Sequence, residues 1–182
     1  LSQIQPHFIY NTLGTIERMC LKDPGKASDL VRNFSLYLRG NFSELDSVTP
    51  IRFAEELKHV EYYVNIEKVR FPDMNIAYDV EATAFVLPAL SVQPLVENAI
   101  KHGLFTLQEG GWLKISSKRS GQSHMIEIAN NGPGFDSYNL EETLENKKSI
   151  GMRSAIMRLE NEMNATVTFH SNFSGTQVRI TI

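Results

Sequence analysis

Near residue 71 the spacing of apolar residues changes, and that change restricts the possible folds more than any other feature of the chain. Before it they recur at three-and-four spacing: Ile4, Phe8 and Thr15 with Ile9, Leu13, Ile16 and Cys20, then Leu30, Phe34, Tyr37 and Asn41, then Phe53, Leu57, Val60 and Val64. That is the repeat of amphipathic helices. After it, strand-like runs at 75–81, 112–117, 124–129, 166–170 and 176–182 alternate with helical spacing over 88–102 and at Met152, Ala155, Ile156, Leu159 and Met163. A helical front followed by a mixed layer of helices and strands predicts an α+β chain.

The first two helices are separated by Lys22-Asp23-Pro24-Gly25, where aspartate and proline open a turn and glycine tolerates left-handed angles. A helical hairpin follows. Two helices this short leave an apolar seam without a partner, which a second copy covers in a four-helix bundle, so a homodimer is expected. Residues 41–47 read as a polar linker, and Thr49 with Pro50 supplies an N-cap and first helical residue for a third helix running to about Arg70. The expected division is a dimerising hairpin over 1–46, a connecting helix over 47–70 and an α/β sandwich over 71–182.

Composition excludes several classes. The net charge is −3, and lysine and arginine are scattered along the chain, so the basic stripe of a nucleic-acid binder is missing. Cys20 is the only cysteine, which rules out an internal disulfide and a cysteine-built zinc site, and it reads as a small buried or half-buried residue. The most apolar run, 84–96, is broken by Pro88, Gln93 and Pro94 and falls short of the ~20 residues a membrane span needs. His59, His124 and His170 lack ligand partners at metal spacing and read as structural; Tyr62, Tyr63 and Phe71 read as packing.

Three stretches carry chemistry: Gln5-Pro6-His7-Phe8-Ile9-Tyr10-Asn11, Val96-Glu97-Asn98-Ala99-Ile100-Lys101-His102-Gly103, and Asn130-Asn131-Gly132-Pro133-Gly134. His7 and Asn11 stand four apart on one helical face, so the amide can orient the imidazole. An exposed imidazole nitrogen suits transient capture of a phosphoryl group, because it is largely neutral near pH 7. In order and spacing the three stretches resemble the LytS-type (LytS/YehU-like) sensor histidine kinases of bacterial two-component systems, over essentially the whole chain.

The resemblance implies a Bergerat-type ATP-binding sandwich, with His7 as phosphoacceptor and Asn11 beside it. Asn98 becomes the carbonyl ligand of Mg2+, Lys101 a point charge for the phosphates, and His102 a side chain near the nucleoside. Glu97 reads equally as a solvated helix face. Asn130 stands where the family has an adenine-reading aspartate, and Gly132 and Gly134 let the backbone approach the purine. A second glycine box survives in part as Ser149-Ile150-Gly151-Met152, with Gly151 at a helix head where backbone N–H groups can receive phosphate and Arg153 nearby, and Gly175-Thr176 before the final strand matches the pair that lies against the nucleotide site in this fold, with Gly175 reading equally as a turn. The acidic run over 141–145 reads as a solvated part of a lid.

The implied activity is transfer of the γ-phosphoryl group of Mg-ATP to His7 and then to an aspartate of a response regulator. The implied setting is the cytoplasmic portion of a protein anchored in the plasma membrane, and the start at Leu1 reads as a fragment of something longer. Phe8 follows the histidine where other classes carry an acid, so the base that takes the imidazole proton stays unassigned. One alternative is a dimeric signalling module that keeps the nucleotide fold and has lost kinase activity. Another, an ATPase of the protein-folding or DNA-repair kind, needs a glutamate four before Asn98, where Pro94 stands.

Overall fold

The computed structural model describes residues 6–43, 49–107, 111–134 and 150–182. Gln5, Ser149 and the acidic run over 141–145 lie outside the described residues. In chain order the elements are α1 (Pro6–Lys22), α2 (Pro24–Ser43), β1 (Ile51–Arg52), α3 (Phe53–Arg70), β2 (Asn75–Val80), β3 (Val86–Leu87), α4 (Gln93–Asn98), β4 (Trp112–Ser120), β5 (Ser123–Asn130), α5 (Ile150–Met163), β6 (Thr166–Asn172) and β7 (Gly175–Thr181). Helix α4 runs on as a π turn (Ala99–Gly103) and a 3-10 turn (Leu104–Thr106).

Helices α1 and α2 form the expected hairpin, closed by a single residue. Asp23 accepts the N–H of Lys26 at 3.0 Å through Oδ1 and caps α2, while Pro24 takes the first helical position, where its missing N–H is not needed. This cap makes a left-handed glycine unnecessary, and Gly25 lies inside α2. Phe8 anchors the seam, with its ring 4.9 Å from that of Tyr37, 5.2 Å from Tyr63 and 6.3 Å from Phe34. Thr12 and Thr15 complete the buried face, and the Thr12 hydroxyl is satisfied by the Phe8 carbonyl at 2.8 Å. Cys20 falls roughly 100° further round the helix, so it is exposed and not buried as its composition class suggested.

Three other expectations shift for local reasons. Residues 41–43 are helix and not linker, because Asn41 is drawn into the interior: Nδ2 donates to the Tyr37 carbonyl at 2.8 Å and Oδ1 accepts from Gln93 at 3.2 Å. Helix α3 starts at Phe53 and not at Pro50, because Ile51 and Arg52 pair antiparallel with Leu87 and Val86. Residues 88–92 precede α4 as a loop, with Leu90 at φ 54°. Side chains from two helices hold this loop. The buried Glu56 of α3 accepts the N–H groups of Leu90, Val92 and Gln93 at 2.9, 2.8 and 3.0 Å, and Arg158 of α5 donates to the carbonyls of Ala89 and Leu90 at 2.6 and 2.8 Å. With its backbone groups paired this way, the loop has no need of a helical ladder.

The five predicted strands are present, in the sheet order β2-β4-β5-β7-β6, with β2 parallel to β4 and the other neighbours antiparallel. Alternation sends Leu113, Ile115, Ile126, Ile128, Val178 and Ile180 to the buried face. They form one core with Val60, Tyr63 and Ile66 of α3, Leu95 and Val96 of α4, and Met152 and Leu159 of α5. Phe8, Leu30, Phe34 and Tyr37 of the hairpin belong to that same core. Of the three histidines expected to be structural, two are packed: His124 stacks on Phe85 at 4.5 Å, and His59 lies against Gly40, where an added Cβ would meet its ring at 3.0 Å, while His170 is exposed on β6.

Candidate functional site

Asn98, Lys101 and His102 lie where α4 widens into its π turn, a local distortion often found at functional sites. Asn98 and Lys101 are half-buried and His102 is exposed. Lys101 Nζ lies 3.2 Å from Glu97 Oε2, one turn earlier, and 5.9 Å from the centre of the Tyr63 ring. The π turn ends at Gly103, which meets the end of β5. An added Cβ on Gly103 would come within 2.6 Å of Asn130 Oδ1, and one on Gly132 would overlap the Gly103 Cα.

The two ends therefore lock together through missing side chains. Asn130 is buried, and its Oδ1 accepts the Gly132 N–H at 2.9 Å. Across the β5–β7 ladder Asn130 pairs with Thr176, whose hydroxyl lies 2.9 Å from that of Ser171. Gly134 has φ +67°, and a Cβ there would overlap the Asn172 carbonyl oxygen. The glycines of this motif are thus required by contacts inside the chain as well as by any ligand. Gly151 starts the second turn site: at the head of α5, its added Cβ would stand 3.8 Å from the Pro94 side chain, next to the start of α4. Asn98, Lys101, Gly103, Asn130, Gly132, Gly151 and Thr176, drawn from four elements and far apart in sequence, gather at one end of the sandwich.

His7 and Asn11 stand apart from this cluster on α1. His7 is exposed, and Asn11 Nδ2 lies 3.0 Å from its Nδ1 and 3.2 Å from its Nε2, so the amide can donate to whichever nitrogen carries the lone pair. Phe8, the residue that replaces an acid at this point, is turned the other way into the core. Its role is to hold the helix while leaving His7 in solvent.

Between the two lies a polar junction that the spacing did not reveal. Glu97 is not a solvated helix face. Its Oε1 accepts from Tyr37 Oη at 3.2 Å and from Gln93 Nε2 at 2.9 Å, and its Oε2 pairs with Lys101. Gln93 Nε2 also donates to Asn41, which fixes the amide and leaves its buried Oε1 without a partner among the described residues. Glu67 accepts both of its bonds from Arg70 Nη1, at 2.9 and 2.7 Å. Burial pushes the Tyr37 and Tyr63 hydroxyls well above the usual phenol range, with the nearby Glu97 charge adding to the effect. Burial likewise raises the Glu67 carboxyl against the opposing pull of Arg70 and Lys101.

The donor set bears on metal binding. No group of three histidine, cysteine, aspartate or glutamate side chains could hold an ion among the described residues. A hard cation here would need oxygens brought by a ligand in addition to the Asn98 carbonyl, which is how magnesium is usually bound with phosphates. No helix of the described residues is long and apolar enough to cross a membrane.

Comparison with known proteins agrees with this arrangement. Residues 1–75 match the model of the family described as "Histidine kinase", and residues 88–182 match "Histidine kinase-, DNA gyrase B-, and HSP90-like ATPase". The sensor histidine kinase BtsS of Escherichia coli is 37% identical over 161 residues, covering 87% of this chain. Sensor protein LytS of Staphylococcus saprophyticus is 30% identical over 194 residues, covering all of it. The chain spans only 27% and 32% of those two proteins. An uncharacterized protein of Bacillus subtilis, YwpD, is 34% identical over 187 residues, which are 67% of its length. Among solved structures, the catalytic domain of the histidine kinase ThkA superposes with a TM-score of 0.59 at 19% identity, covering 74% of this chain and 93% of its own. The Acinetobacter baumannii histidine kinase AdeS gives 0.57 at 16% identity, with 96% and 94% covered. At such identities the superpositions speak for the fold alone.

Proposed function

The chain belongs to the histidine kinase family, as a sensor kinase of the LytS type, and from that membership we propose that it uses Mg-ATP to phosphorylate His7 and passes the phosphoryl group to an aspartate of a response regulator. The observation that carries this reading is the convergence of Asn98, Lys101, Asn130, Gly132 and Thr176 at one end of the sandwich, with an exposed His7 held by Asn11 on the hairpin. In this reading residues 1–46 present the phosphoacceptor and dimerise, 47–70 connect, and 71–182 bind the nucleotide. The whole protein is a membrane-anchored homodimer with this portion in the cytoplasm.

The chain's own residues account for the chemistry through positioning and charge. Asn130 accepts a hydrogen bond from the adenine amino group with the oxygen lone pair that Gly132 does not use, and the Gly132–Gly134 backbone and Thr176 line the base. Lys101 leaves Glu97 to meet the phosphates, and His102 lies beside the nucleoside. Gly151 brings the head of α5 towards the phosphates, where free N–H groups favour anions. Asn98 would hold magnesium, which when bound neutralises phosphate charge. The unprotonated ring nitrogen of His7 exchanges the Asn11 donor for phosphorus: an N–P bond forms, the bond from the γ-phosphorus to the bridging oxygen of ADP breaks, and the imidazole proton passes to solvent. His7 is exposed and Asn11 half-buried beside it, so the exchange needs no opening of the core.

The test is incubation with γ-labelled ATP and magnesium. We expect a label on the protein that survives base and is lost in acid, as a phosphoramidate is. His7→Gln should abolish the label and leave ATP affinity unchanged, because His7 stands on α1, apart from the proposed nucleotide residues. Equal labelling of both forms removes His7 as the acceptor.

A further inference from the structure

We propose that Glu97 is a positioning residue for Lys101, and that Tyr37 is the contact through which the hairpin reaches the nucleotide site. The inference rests on the kinase reading above. Glu97 divides its carboxylate between the two parts of the molecule: Oε1 takes Tyr37 Oη of α2 at 3.2 Å, and Oε2 takes Lys101 Nζ at 3.2 Å. Both partners are shielded, with the Glu97 side chain 14% and the Lys101 side chain 19% exposed, so this is not a loose surface pair. Asn98, the residue that would meet the metal, is the next in the chain.

The connection continues to the phosphoacceptor. Tyr37 packs against Phe8 with ring centres 4.9 Å apart and planes tilted by 56°, and Phe8 is the neighbour of His7. From His7 to Lys101 there is a path of direct contacts, Phe8 to Tyr37 to Glu97 to Lys101, that crosses from the hairpin to the nucleotide helix. Gln93 steadies it from the side by donating to both Asn41 of α2 and Glu97. A second acid near Lys101 is Glu67, which Arg70 holds through two bonds. Glu97 is therefore the acid that fixes where the Lys101 ammonium waits, and it is also the acid the phosphates must displace.

Those two roles pull nucleotide binding and turnover in opposite directions. Glu97→Gln keeps an acceptor for Tyr37 and Gln93 but removes the charge. ATP should bind several-fold more tightly, since a competitor for Lys101 and a repelling charge are both gone. Transfer to His7 should slow by tenfold or more, since the ammonium is no longer held in place. Tyr37→Phe keeps the ring packing and the Glu97–Lys101 pair but cuts the hairpin's bond. It should leave ATP affinity unchanged and slow transfer several-fold. The double variant should be little slower than Glu97→Gln alone, because both changes interrupt one path.

The experiment is calorimetric ATP affinity together with the initial rate of labelling for the wild type, both single variants and the double variant. A fall in affinity for Glu97→Gln, or rate losses that multiply in the double variant, overturns the proposal, because a merely structural defect weakens binding and adds independently. If Glu97→Gln does not fold, Tyr37→Phe still decides: a transfer rate equal to wild type removes the hairpin contact. A wild type that takes no label defeats the kinase reading instead, and the affinity of Glu97→Gln then judges the Lys101 contact by itself.

Discussion

Asn130 stands at the centre of the proposed nucleotide site, where its one oxygen would serve two purposes. A carboxamide oxygen has two lone pairs, and one is already given to the Gly132 N–H at 2.9 Å. In the proposed function the other accepts from the adenine amino group. A carboxylate in the same place makes both bonds charge-assisted, so Asn130→Asp is expected to tighten ATP by ~1 kcal/mol, or several-fold. Titration calorimetry with ATP and GTP on both forms checks this, and GTP binding equal to ATP takes Asn130 out of base recognition. At this scale the residues proposed for the site were each picked out by a short motif: His7, Asn11, Asn98, Lys101 and Asn130 each had a spacing to mark them. Glu97 did not, because its meaning depends on Tyr37, sixty residues earlier, and no local pattern encodes that contact.

The helix that carries Asn98 and Lys101 is held at its start by other elements. Glu56 from α3 takes three backbone N–H groups ahead of α4, and Arg158 from α5 takes two carbonyls of the same loop. Burial pushes the Glu56 carboxyl up, and those three donors pull it back down. Glu56→Gln replaces one of two acceptor oxygens with a donor, so an N–H in the core loses its partner or faces another N–H. The expected loss is about 1–3 kcal/mol of folding stability, read by chemical denaturation. An unchanged midpoint and slope would show that the loop is held by Arg158 without Glu56. The hairpin, α3 and the five strands were legible because their periods are strong. The loop over 88–92 was not: its apolar residues Ala89 and Val92 continue the three-and-four spacing of Val96 and Ala99 in the helix that follows, while the partners that oppose a helix sit in α3 and α5. The two-residue pair of β1 and β3 is likewise too short to carry a period.

One core runs through the whole molecule, from Leu30 and Phe34 of the hairpin to Ile128 and Ile180 of the sheet, yet one face of α1 takes no part in it. Tyr10, Leu13 and Leu21 are 73%, 50% and 93% exposed. At about 100° per residue they fall within one stripe of roughly 80°, turned away from the face that Phe8, Thr12 and Thr15 bury. An apolar stripe of this kind, on a hairpin whose inner side is already filled, is the surface that the proposed dimer would cover as a four-helix bundle. Changing Leu13 and Leu21 together to glutamate puts four like charges across a two-fold contact. The variant is expected to sediment as a monomer at concentrations where the wild type is a dimer. Its ATP affinity should not change, because Asn98, Lys101, Asn130, Gly132 and Thr176 all come from one chain. A variant that stays dimeric places the contact elsewhere. A monomer that still binds ATP also separates the two routes to His7: labelling that persists means transfer within a subunit, and labelling that vanishes means the phosphoryl group crosses between subunits.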